Sequence, residues 1–145
     1  MLEPTKKYTS KLGVNYELNL MPVEKSARLL FGLVKKALAL FENADFLIEF
    51  SKKHGTKNTF ALLMQDAEVF SKLLSNIYKA IEKLSTDEYW ELVTIATSHC
   101  TIKDKSAGYR QIILDQDFTG KLKELNILVY EFIKFNYADF LGESL

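Results

Sequence analysis

The feature that most constrains the fold is an apolar repeat in the middle of the chain. Apolar side chains recur at alternating spacings of three and four residues over positions 60–84, which is typical of a helix with one continuous apolar seam. Several positions beside the seam are also apolar, among them Met64, Leu73, Tyr78 and Ala80. A seam this wide favours a helix packed inside a bundle over an exposed two-stranded coiled coil. The seam consists of Phe60, Leu63, Ala67, Phe70, Leu74, Ile77, Ile81 and Leu84.

Four further helices are predicted on either side of this segment. Pro22 suits the first position of a helix, where its missing N–H group costs nothing. Ser85 and Glu88 form a capping box that opens another helix. Asp117 or Thr119 is expected to cap the last helix, and Gly142 to end it. The four helices are predicted at 22–42, 45–53, 86–97 and 118–141, with a loop at 54–58.

Two segments read as β-structure. Apolar and polar residues alternate from Leu12 to Leu20, which predicts either a hairpin of residues 6–11 and 14–20, turning near Gly13, or one unbroken strand. A second short hairpin is possible around 99–114. Whether the two β-elements share a sheet is left open. The expected fold is mainly α: one domain over 1–145, a bundle of about five helices, with a β-element at 1–21, a helical region at 22–97, a possible hairpin at 98–114 and a C-terminal helix at 118–141.

Composition argues against several classes of function. The chain has 145 residues, with 19 basic and 19 acidic side chains, so it lacks the basic excess of a typical nucleic-acid-binding protein. Residues 1–60 carry ten basic and six acidic residues, and the remainder nine and thirteen; this asymmetry could favour head-to-tail self-association. No signal peptide is expected, because residues 1–11 are polar. No membrane span is expected either, because Lys35 and Lys36 interrupt the longest apolar stretch. The single cysteine suits a reducing compartment.

No motif for catalysis, cofactor binding or metal binding stands out. His99 and Cys100 are adjacent, but neighbours on a strand point to opposite faces and chelate poorly. Cys100 with His54 could form a nucleophilic pair, although a lone cysteine is more often a small buried hydrophobe. The segment 115–120 starts like a calcium loop, and then Asn126 occupies the position that needs a bidentate carboxylate. Contact with another macromolecule is therefore favoured over catalysis. A generic helical adaptor or regulator and a small cysteine-dependent enzyme are the alternatives.

The two ends of the chain resemble the tail assembly chaperones of long-tailed bacteriophages. The first matching segment is YELNLMPVEKSARLL at 16–30, a strand that leads into a helix started by proline. The second combines DFTGKLKEL at 117–125 with YEFIKFNYADFL at 130–141, an amphipathic helix followed by an Asn–aromatic finish. The finish departs from the family pattern at Phe140-Leu141, where two aromatic residues are expected.

The resemblance implies a holdase without a cofactor. Such chaperones act in the cytoplasm of the infected host, are absent from the finished virion, keep the tape-measure protein soluble and help to bring tail-tube subunits to it. We expect the contact surface in the C-terminal segment, since an exposed apolar patch marks a partner site. The alternative is that the same residues close the core. The candidate contact residues are Phe132, Phe135, Tyr137, Phe140 and Leu141.

Overall fold

A computed structural model describes residues 4–40, 77–105 and 108–138 of the chain. Within these residues the chain forms four strands and five helices. In chain order they are β1 (Thr5–Thr9), β2 (Asn15–Asn19), α1 (Val23–Leu40), α2 (Ile77–Glu82), α3 (Thr86–Ser98), β3 (Cys100–Asp104), β4 (Gly108–Gln111), α4 (Leu114–Phe118) and α5 (Leu122–Asn136).

The four strands form a single antiparallel sheet in the order β1-β2-β3-β4. Strands β1 and β2 make the predicted N-terminal hairpin, and Gly13 in its turn has a φ of 80°, a conformation that glycine adopts without strain. Strands β3 and β4 make the predicted second hairpin. The two hairpins are joined where β2 pairs with β3, Tyr16 opposite Ile102 and Leu18 opposite Cys100.

The expectation of a mainly α helical bundle is therefore wrong. The described residues combine a four-stranded sheet with short helices. The strands have four or five residues each. In the sequence, two such short hairpins therefore appear as minor additions to a helical chain. Their union depends on the pairing of β2 with β3, which lie some eighty residues apart in the sequence. No local pattern encodes a pairing over that distance.

The chain divides into two compact units. The first combines residues 1–26 with 85–138, and the second combines 27–84 with 139–145. Compact units of one chain can still fold as one domain, so the expectation of a single domain stays a prediction.

In the first unit, α3 and α5 pack against the sheet and against each other. The buried side chains of the strands, Tyr16, Leu18, Cys100 and Ile102, lie on one face because they are opposite each other in the register. The opposite face carries mostly polar side chains such as Lys7, as expected for a sheet that is covered on one side. The helices contribute Leu92, Val93, Ala96, Leu125, Leu128, Val129, Phe132 and Ile133 to the core.

Helix starts follow the predicted chemistry at one position and depart from it at another. The capping box is confirmed: Glu88 N–H donates to Ser85 Oγ at 3.1 Å, and Ser85 N–H donates to Glu88 Oε1 at 3.0 Å. The prediction that Asp117 or Thr119 caps the last helix is wrong. Asp117 lies within the separate short helix α4, and α5 begins only at Leu122, without a side-chain cap. Gly120, with a φ of 76°, makes the turn between the two helices.

The second unit is described only at residues 27–40 and 77–84. In α1, Leu30 and Leu33 are buried, whereas Phe31 is 40% exposed. Ile81, a seam residue, is buried in α2. The predicted helix at 45–53, the loop at 54–58, the seam before Ile77 and the stop at Gly142 lie outside the described residues.

Candidate functional site

Three of the five candidate contact residues lie in the interior. Phe132, Phe135 and Tyr137 are 0%, 4% and 1% exposed. Phe140 and Leu141 lie outside the described residues. The burial of the first three agrees with the alternative that they close the core. A partner-binding role for the set stays a prediction.

Tyr137 ties the end of α5 to the first turn of α1. Its hydroxyl donates to the Ser26 carbonyl oxygen at 2.7 Å. Burial raises the pKa of Tyr137 to about 12, because the phenolate form would lose its hydration. Phe132, earlier in α5, lies with its ring centroid 6.2 Å from that of His99. Both side chains therefore join α5 to other parts of the first unit.

Asn136, the asparagine of the Asn–aromatic finish, makes three hydrogen bonds beside Tyr137. Its Oδ1 accepts the Met21 N–H at 2.8 Å, and its Nδ2 donates to the carbonyl oxygens of Phe132 at 3.1 Å and Asn19 at 3.3 Å. Met21 is buried and lies between β2 and α1, so its N–H needs a partner from another element. The signal in the sequence was the Asn–aromatic finish that forms part of the family resemblance.

A second buried polar contact lies near the start of α5. The Tyr16 hydroxyl donates to Glu124 Oε2 at 2.9 Å, with the tyrosine 2% and the glutamate 7% exposed. The Tyr16 ring stacks between Tyr8 and Phe118, at centroid distances of 6.0 and 6.3 Å. Burial and the bond to Glu124 raise the pKa of Tyr16 well above its usual range. This contact holds α5 on the sheet and offers no accessible acid or base.

Cys100 lies in the core of the first unit. It is 1% exposed, and burial raises the pKa of its thiol to about 12. His99 precedes it at the end of α3, where its Nδ1 lies 2.9 Å from the Ile95 carbonyl oxygen. His54 lies outside the described residues. A buried thiol that resists ionisation is a poor nucleophile, which weighs against the cysteine-dependent enzyme.

The calcium-loop pattern at 115–120 has a structural role instead. Asp117 receives two hydrogen bonds from the Arg110 guanidinium, at 2.7 and 3.0 Å, and one from the Ile113 N–H at 2.8 Å. The bonds from Arg110 hold the pKa of Asp117 below its usual value. Over the three described ranges, no group of three His, Cys, Asp or Glu side chains could hold a metal. Nor does any helix in those ranges have the length and apolarity to cross a membrane.

The outward surface of α3 holds a half-exposed tryptophan, which is the only tryptophan of the chain. Trp90 is 51% exposed, and Thr94 lies one turn beyond it on the same surface. A neighbouring row carries Asp87 and Glu91, which are also exposed. These four residues are called the Trp90 face below. Trp90 was not singled out in the sequence, and it lies at the rim of the buried stripe of Leu92, Val93 and Ala96.

The comparisons with known proteins identify a family. The family model described as "Phage tail assembly chaperone protein, TAC" matches residues 12–145. No curated protein and no solved structure matches the chain significantly. The match spans nearly the whole chain, including the middle segment for which the sequence patterns gave no resemblance. The chain therefore belongs to the phage tail assembly chaperone family and has a chaperone role in tail assembly.

Proposed function

We propose that this chaperone binds the tape-measure protein, keeps it soluble, and helps to recruit tail-tube subunits to it. The observation that carries the proposal is the family match over residues 12–145, which places the protein in tail assembly. Among tail proteins, the tape-measure protein is the client that the resemblance implies, because a long helical chain exposes apolar surface before the tube encloses it.

The chemistry of the described residues supports a role in binding without catalysis. Cys100 is buried and difficult to ionise. The buried carboxylate of Glu124 is engaged by Tyr16, and Asp117 is engaged by Arg110. Each of these groups contributes to the fold. A protein that acts by reversible contact needs a stable scaffold with an accessible surface and needs no cofactor.

The proposal also states where the protein acts and at which stage of assembly. The protein works in the cytoplasm of the infected host while the tail is assembled, and it is absent from the mature virion. Mass spectrometry of infected-cell lysate and of purified particles tests both points. Abundant chaperone peptides in particles would contradict them.

Co-expression tests the proposed client. The bait is this protein, and the candidates are the tape-measure and tail-tube proteins of the same phage, with light scattering on the eluted material. We expect a soluble complex with several chaperone copies on each tape-measure chain. A well-folded chaperone that elutes alone, with the tape-measure protein insoluble, would refute the proposal.

A further inference from the structure

We propose that the Trp90 face of α3 is a docking surface for a basic amphipathic segment of the tape-measure protein. The inference rests on the proposed function and assigns a surface to it. It is drawn from three features of α3: an exposed indole, hydroxyl groups that are bonded within the helix, and an excess of negative charge.

The indole is the first feature. Trp90 is 51% exposed on a helix that already buries Leu92, Val93 and Ala96. Exposing a large aromatic ring forgoes the free energy of burying it. Tryptophan is also among the residues most enriched at the energetic centres of protein interfaces.

The hydroxyl groups near the indole are already hydrogen-bonded within the helix. Thr94 Oγ1 donates to the Trp90 carbonyl oxygen at 2.9 Å, and Ser98 Oγ donates to the Ile95 carbonyl oxygen at 2.8 Å. A partner that covers this surface would not leave those two donors unpaired. The Thr94 methyl group and the indole can then be covered together.

The charge of α3 indicates the chemistry of the partner. The helix contains Asp87, Glu88 and Glu91 and no basic residue. Glu88 is used in the capping box, whereas Asp87 and Glu91 form no ion pair with any residue that the structure describes. Two like charges four residues apart destabilise a helix slightly. A lysine or arginine row on the partner would relieve this repulsion while its apolar row covers Trp90.

The test compares variants of the full-length chaperone in capture of the co-expressed tape-measure protein. Trp90→Ala is expected to weaken capture about thirtyfold, as for a central tryptophan of an interface. Leu122→Ala, which truncates a residue that is 69% exposed at the start of α5, is the control and should leave capture unchanged. Circular dichroism checks that both variants fold.

Charge reversal tests the partner's chemistry. Asp87→Lys is expected to weaken capture about tenfold at low salt and less at high salt. Asp115→Lys is the matched control, since Asp115 is also an exposed acid in the first turn of a helix. Because the chain has one tryptophan, 5-fluorotryptophan gives a single ¹⁹F resonance, which should shift when the client binds.

The possible results distinguish a failure of the proposed docking surface from a failure of the proposed function. If the wild type captures no tape-measure protein, both proposals are overturned. If it captures the client and Trp90→Ala does so equally well, only the Trp90 face is overturned. A ¹⁹F shift that depends on chaperone concentration alone would assign the face to a second copy of the chain, and a shift with the tail-tube protein alone would assign it to that subunit; either result overturns the proposal.

Discussion

The hydrogen bond between Tyr16 and Glu124 offers a direct test of how α5 is held on the sheet. Tyr16→Phe removes one hydroxyl and keeps the ring, so the stacking on Tyr8 and Phe118 is retained. What is lost is the donor to Glu124 Oε2 at 2.9 Å. Because the glutamate is only 7% exposed, water cannot easily replace that donor.

The expected loss of stability follows from the burial of both partners. A hydrogen bond to a charged group contributes roughly 1.5–3 kcal/mol, and a buried acceptor left without its donor bears its desolvation in addition. We expect the free energy of unfolding to fall by about 2 kcal/mol. For a chain of this size the melting temperature should fall by roughly 6 °C.

Urea unfolding followed by circular dichroism measures the effect. Tyr109→Phe is the control, since Tyr109 is half-buried on the other face of the sheet, and its loss should stay within about 0.5 kcal/mol. In a double-mutant cycle with Glu124→Gln, the coupling energy should exceed about 1 kcal/mol. A Tyr16→Phe variant as stable as the control would refute the reasoning, because it would mean that water reaches Glu124 in the folded protein.

Three further predictions concern the helix cap at Ser85, the reactivity of the Cys100 thiol and the stability of the fold at alkaline pH. Ser85→Ala should lower the free energy of unfolding by about 1 kcal/mol, with a smaller loss for Ser85→Gly, as measured by urea unfolding; equal stability of Ser85→Ala and wild type would contradict the capping role. Cys100 should react with a thiol reagent at pH 8 at least about a hundredfold more slowly in the native protein than in urea; similar rates would contradict its burial. The raised pKa values of Tyr16 and Tyr137 stabilise the fold below the unfolded pKa of about 10, and that stability is lost as pH rises toward the folded values, so urea midpoints should fall steadily between about pH 10 and 12; flat midpoints over this range would contradict it.

The local features of the fold could be predicted from the sequence. Gly13 between alternating residues indicated a hairpin, and Ser85 with Glu88 indicated a helix start; both are present. Each depends on side chains within a few residues of one another, where turn and cap chemistry acts. The same local chemistry misplaced the start of α5, because Asp117 binds Arg110 on β4 instead of capping that helix.

The fold class and the interior could not be predicted in the same way. The sheet depends on Leu18 pairing with Cys100 across the middle of the chain. In the structure α5 packs on both the sheet and α3, so a wide face of the helix is covered and Phe132 and Phe135 are both buried. Trp90 was not singled out in the sequence, since nothing in its spacing distinguishes the rim of a buried stripe from its centre.

The two segments that carry the resemblance to the family are the ones that hold each other in the fold. They meet through Tyr16 with Glu124 and through Met21 with Asn136, at 2.9 and 2.8 Å. Polar groups that form such internal hydrogen bonds stabilise the fold, and they are not available to bind a client. We therefore expect a client to bind an exposed surface rather than these buried contacts, and α3 presents such a surface in the Trp90 face.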